Sequence, residues 1–160
     1  YRRKLYAECP ERRARALRSA IKYQVHMQAT DAAYDTLFKL RCRVRRALRK
    51  GAKKAAGTEE LLGCSATWLT GRWDVQYGPG WREDKNLHID HVRPCASFDL
   101  TDPEQQRACF HWANLQLLPA EENMRKRDQW TTEDEVAWAW RMRSLGYEGE
   151  LFLVFLGPVC

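Results

Sequence analysis

The sequence predicts an α+β protein: a mostly helical chain around a small strand–strand–helix core, with a basic helical arm at its N-terminal end. Three observations carry that expectation. Apolar residues recur at helical spacing through residues 11–50. At Leu87–Val92 the pattern switches to alternation of apolar and polar residues with period two, the mark of a half-buried strand. The charge is divided. Residues 1–56 hold 17 basic and 4 acidic side chains, a net of +13, whereas residues 57–160 carry −7, giving +6 overall.

Taken in order, residues 11–25 read as a basic helix with Ala14, Leu17, Ala20, Ile21 and Val25 on one side. Asp31 is placed to cap a second helix running to about residue 50, whose apolar face is Ala33, Leu37, Leu40, Val44 and Leu48. Its other face carries Arg41, Arg45, Arg46 and Arg49. The stretch from Lys50 to Gly57, with Lys53 and Lys54, is a flexible basic linker. Short helices are expected at Glu59–Leu62 and Ala66–Gln76, the latter capped by Ser65. The run Tyr77-Gly-Pro-Gly80 is a turn.

The alternating segment Leu87–Val92 is the first strand and Leu115–Leu118 the second. Between them Thr101 and Glu104 have the spacing of a capping box for a helix ending near Phe110. Pro119 suits the first turn of a helix to about Asp128. Thr132 and Glu135 repeat the capping-box spacing for a helix through Leu145, stopped by Gly146. Leu151–Leu156 reads as a final apolar strand or extended tail. The resulting organisation is a basic helical nucleic-acid-binding arm (1–56), a core domain (57–130) and a helical or extended C-terminal extension (131–160).

Composition narrows the function. A hydrophobic fraction of 44% is enough for a packed core, and 9 Gly with 6 Pro argue against a disordered or collagen-like chain. No apolar run approaches the roughly 20 residues of a membrane span, so no membrane partner is expected. No apolar stretch of signal-peptide type is present either. The six cysteines are widely spaced and form no C-x-x-C pair. They read as reduced, mostly buried thiols, with no structural zinc expected; Cys95, Cys109 and His111 are the one set of residue types that would permit it. The expected setting is intracellular and reducing, with the mitochondrion or another organelle a compatible location. The +13 arm makes nucleic acid the expected partner.

Four residues stand where the two strands and the following helix would converge: Asp90 and His91 ending the first strand, Asn114 opening the second, and Asn123 on the helix. A carboxylate and an amide oxygen are ligands that a hard divalent cation accepts. An imidazole titrates near neutrality, where a general base must work. His88 shares a strand face with Asp90, within reach of phosphate or of the metal's surroundings.

The run LHIDHVRPCASFDLTDPEQQRACFHWANLQLLPAEENMRKRD resembles the core of the HNH endonucleases, specifically the subgroup of phages, large viruses, bacteria and organelle introns that includes homing enzymes. ELLGCS, the Trp68–Tyr77 segment and RVRRALRKGAKK upstream resemble it too, so the likeness covers about residues 41–130. The resemblance implies a ββα-metal fold that hydrolyses phosphodiester bonds of DNA, leaving 5′-phosphate and 3′-hydroxyl ends. It implies that His91 activates water as general base and that Asp90 and Asn123 hold one Mg²⁺ or Mn²⁺. Asn114 would fix the loop and orient His91. Arg125, Lys126 and Arg127 would contact phosphate. Related chains often read K-G-D or S-K-G after the third motif; Met124-Arg-Lys-Arg-Asp128 is bulkier and more basic.

An alternative reading keeps the fold without the reaction: an HNH-derived structural subunit of a large ribonucleoprotein such as a mitochondrial ribosome, bound to rRNA through phosphates and shape. The Arg-rich arm and the Trp-rich extension (Trp130, Trp138, Trp140), suited to protein partners, motivate it. Trp112, Trp138 and Trp140 are candidates for stacking on bases, although core burial is the commoner fate of such residues.

Overall fold

The computed structural model describes residues 9–48 and 51–154, and the fold is α+β, helical in the main with one two-stranded sheet. Helix α1 spans Pro10–Thr30 and α2 spans Ala32–Ala47. Asp31 separates them: its extended backbone breaks the first helix, and its carboxylate accepts the Tyr34 N–H at 3.0 Å to cap the second. Helices α3 (Thr58–Leu62) and α4 (Ala66–Tyr77) follow, with Ser65 capping α4 through the Trp68 N–H. Strand β1 is Leu87–His91, α5 is Pro103–Phe110, β2 is Leu115–Pro119, α6 is Ala120–Lys126 and α7 is Thr132–Ser144.

The strands pair antiparallel, Leu87 opposite Pro119 and His91 opposite Leu115. Alternation sorts their faces. Ile89, Leu115 and Leu117 turn inward against Leu62, Leu69, Trp73 and Trp81, while His88 is exposed. A second apolar cluster joins residues far apart in sequence: Val44 of α2 and Leu48 just beyond its end, Ala108, Cys109 and Phe110 of α5, and Trp138 and Met142 of α7. Trp138 is 1% exposed, so this tryptophan of the C-terminal extension is core, whereas Trp140 is 74% exposed.

Several local expectations are corrected by the structure. Thr101 does not cap α5. Pro103 sets the helix start one residue later, so Asp102 takes the Glu104 N–H and Thr101 turns back to Asp99. At α7 the capping box is Thr131 with Asp134, one residue before the expected pair, because Glu135 is drawn into the core. Pro119 ends β2 and precedes α6 instead of opening it, and α6 stops at Lys126 where Arg127 adopts φ 47°. Of the expected strand Leu151–Leu156, residues 151–154 form none and 155–156 lie outside the described residues: the Leu151 and Phe152 carbonyls turn inward to a buried arginine, described below. The apolar side of α1 is largely uncovered, with Leu17 62% and Ile21 52% exposed, and α2 is the element packed beside it.

Gly63, which terminates α3, has φ +69°, and a Cβ placed there would lie 2.6 Å from His111 Nε2. The turn therefore needs glycine both for its left-handed backbone and for the imidazole against it. Gly63→Ala should cost about 1–3 kcal/mol. Urea unfolding of the variant checks this, and an unchanged midpoint would refute the contact.

Candidate functional site

Asn114 is fully buried and uses all of its hydrogen-bonding capacity. Its Oδ1 accepts the Arg93 N–H and the Trp138 Nε1–H, both at 2.8 Å. Its Nδ2 donates to the carbonyls of Cys109 at 2.7 Å and Arg93 at 3.2 Å. The Asn114 carbonyl also accepts the Val92 N–H. The residue thus clamps the chain leaving β1 immediately after His91. The His91 ring itself has other neighbours: it meets Phe110 edge-on and lies beside Cys95 and Cys109.

Arg93, next to that clamp, is completely buried. Its guanidinium donates to Ser97 and to the carbonyls of Leu151 and Phe152. It lies over the rings of Phe98 and Trp138, 3.9 Å from the equally buried Glu135. Burial pulls its pKa down while Glu135 opposes the shift. Arg141 adds a brace from α7, donating to the carbonyls of Ala113 and Leu115.

On the other side of β1 a polar cluster faces α6. His88 and Asp90 are two residues apart on one strand face; Asn123 and Lys126 are one turn apart on one helix face. They meet as two rungs. Asn123 Nδ2 lies 3.3 Å from His88 Nδ1, and Lys126 Nζ lies 2.7 Å from Asp90 Oδ2. Lys126 also donates to the His91 carbonyl, and Gln116, opposite Asp90 in the sheet, donates to Oδ2 at 3.1 Å. Both side-chain donors reach Oδ2, so among the described residues Oδ1 of Asp90 accepts no hydrogen bond. Asp90 Oδ1 and the Asn123 amide oxygen are donor types that a hard divalent cation takes alongside water.

The basic residues separate into three places. Arg41, Arg45 and Arg46 are exposed on α2, and Arg49 lies outside the described residues. Arg41, Arg45 and Lys54 line one cleft of about 540 Å³ with Val44, Leu48 and Ala52. Partial burial first, then Arg41 and Arg45, pull the Lys54 pKa down. Lys53 is exposed nearby. Arg125 pairs with Glu121 on the surface of α6 and Arg127 is exposed beyond its end, while Lys126 turns inward to Asp90.

One participant escapes the sequence reading. Arg43 is half-buried and close enough to Asp90 and Cys95 for both to raise its pKa against the larger lowering by burial. Lying between Arg41 and Arg45, it belongs to a different helix face, and that offset was its only signal. Cys95 and Cys109 were named from their residue types, but with another histidine. Their sulfurs lie 3.5 Å apart beside His91, so the histidine that joins them is His91 and not His111. His111 instead packs against Trp112 and Tyr147, accepts the Ala113 N–H, and is pulled to a pKa of about 4 by burial.

Comparison with known proteins gives two relatives, both uncharacterized proteins of Acanthamoeba polyphaga mimivirus. One is 33% identical over 107 residues, covering 65% of this chain and 46% of its own length. The other is 34% identical over 105 residues, covering 63% of this chain and 45% of its own. The chain therefore spans less than half the length of the curated relatives it matches. No family model matches the chain. No solved structure matches it either. Among the described residues no helix is long and apolar enough to cross a membrane.

Replacing Asn114 by Ala would strand two donors and two carbonyls in the core. The expected loss is about 3–5 kcal/mol, read as a fall in the urea midpoint. A loss under about 1 kcal/mol, the size of one ordinary hydrogen bond, would contradict the clamp.

Proposed function

We propose that the chain is a metal-dependent endonuclease of the HNH type that hydrolyses phosphodiester bonds of DNA. The observation that carries this reading is the two-rung cluster, in which His88 and Asp90 of β1 meet Asn123 and Lys126 of α6 next to His91 in the chain, with Asn114 clamping the turn that follows. Bound Mg²⁺ or Mn²⁺ would supply Lewis-acid stabilisation of negative charge at the scissile phosphate and the leaving oxygen. Asp90 and Asn123 are the residues that would hold it. His91 takes the proton of the attacking water through its imidazole, and the Phe110 edge holds the ring's direction. Lys126, anchored on Asp90 and the His91 carbonyl, keeps a positive charge beside the cluster where phosphate would approach. The cleft of Arg41, Arg45 and Lys54 suits a backbone phosphate further along the strand.

One observation favours a second reading, an HNH-derived subunit that binds RNA in a large ribonucleoprotein. The Lys126 ammonium already neutralises Asp90, and a chain with such a pair can keep the fold for binding alone. The test is plasmid nicking with Mg²⁺ or Mn²⁺. Under the nuclease reading His91→Ala slows cleavage roughly 100- to 10,000-fold, the range of a general base. No cleavage by the wild type with either metal, together with stable RNA binding, would sink that reading and support the second.

The basic cleft makes its own prediction. Arg45→Ala and Lys54→Ala should each weaken DNA binding regardless of sequence and reduce the salt slope by about one. Fluorescence anisotropy across a salt series measures it, and unaltered slopes would remove the cleft from the interface.

A further inference from the structure

The candidate nuclease cluster does not use Cys95 and Cys109. Cys95 lies in the short helical turn Cys95–Ser97 that follows Pro94, and Cys109 lies in the last turn of α5. Their sulfurs are 3.5 Å apart, with Cys109 donating to Cys95. One imidazole nitrogen of His91 completes the group: the three ligand atoms all lie within 4.8 Å of one another. Two thiolates on one tetrahedral zinc, with Zn–S of about 2.3 Å, sit about 3.8 Å apart. The observed separation needs only a few tenths of an ångström of adjustment.

The surroundings hold the three ligands in place. His91 is pinned by the sheet and by the Lys126 contact to its carbonyl. The Cys109 carbonyl is held by Asn114, and Arg93 grips Ser97, two residues beyond Cys95. His91 is 7% exposed and Cys109 fully buried, so a bare cation there would be costly. Two thiolates and a neutral imidazole cancel the charge of a divalent ion and remove that cost. Sulfur and imidazole select a borderline-soft metal over Mg²⁺ or Mn²⁺, whose preferred oxygen ligands lie across the strand at Asp90 and Asn123.

We propose that His91, Cys95 and Cys109 form a zinc site of their own, separate from Asp90 and Asn123. On binding, Zn²⁺ replaces the protons of the two thiols, those protons leave to solvent, and no oxidation or reduction occurs. Filling the site occupies an imidazole nitrogen of His91. If the nuclease reading holds, on which this consequence alone rests, zinc withdraws the general base and switches cleavage off.

The test uses the full chain, reduced and freed of metal. Zn²⁺ is titrated against a chromophoric chelator, and Co²⁺ is added separately to look for thiolate-to-metal charge-transfer absorption. The expected result is one tight equivalent of zinc and a thiolate–cobalt band. Cys95→Ser and Cys109→Ser should each weaken zinc binding beyond the roughly 10–100-fold typical of changes around, but not in, a metal site. Asp90→Asn should leave it intact. Because buried Cys109 variants risk misfolding, wild-type protein is also alkylated with and without zinc. Protection of Cys95 and Cys109, but not of Cys42, supports the site. A cobalt spectrum without the thiolate band, zinc binding abolished by Asp90→Asn, or alkylation unaffected by zinc would overturn it. Since these readouts need no cleavage, the zinc site and the nuclease reading fail separately.

Discussion

Everything near the candidate site depends on one buried polar junction. Asn114 and Arg93 lie side by side at the end of the hairpin, both without solvent exposure. A buried amide or guanidinium is tolerated only when its donors and acceptors find partners. Here the partners come from four directions: the turn after β1, the end of α5, α7 through Trp138 and Glu135, and the carbonyls of Leu151 and Phe152. The demand for satisfaction thereby becomes a positional constraint. Those segments have to meet at one point, and His91 is two residues from it.

The chemistry follows from how the two sides of His91 differ. Toward α6 the strand offers a carboxylate, an amide, an imidazole and an ammonium, in contact with solvent at His88. Toward α5 it offers two sulfurs and an aromatic edge in a dry interior. Hard oxygen donors and soft sulfur donors are thus divided by one strand. His91, at its end, belongs to the dry side by position and to the polar side through its backbone carbonyl, which Lys126 holds.

The sequence was most legible where local rules act alone. The first strand of the hairpin was readable because the alternation that begins at Leu87 has the period of a strand. Asp31 and Ser65 were readable as caps because capping involves residues three apart. The failures share a cause. Thr101 lost its cap to Asp102 because Pro103 fixes the helix start, and the α7 cap slipped by one because Glu135 was claimed by Arg93. Ala14, Leu17 and Ile21 have helical spacing, yet spacing says nothing about whether another element covers the face. Cys95 and Cys109 carried no metal-type spacing, and Arg43 was hidden among arginines of like charge.

By itself, then, the sequence determined the strand–strand–helix unit, the residues Asp90, His91, Asn114 and Asn123 as its polar members, and a basic arm. Each of these is written in local periodicity or in counted charge. Only the tertiary structure decided what those residues face. It turned Lys126 onto Asp90 and away from solvent, made Trp138 a partner of Asn114, and brought two thiols 14 residues apart against His91. Partners across a fold are chosen by packing and by the satisfaction of buried polar groups. Neither leaves a periodic mark in the chain.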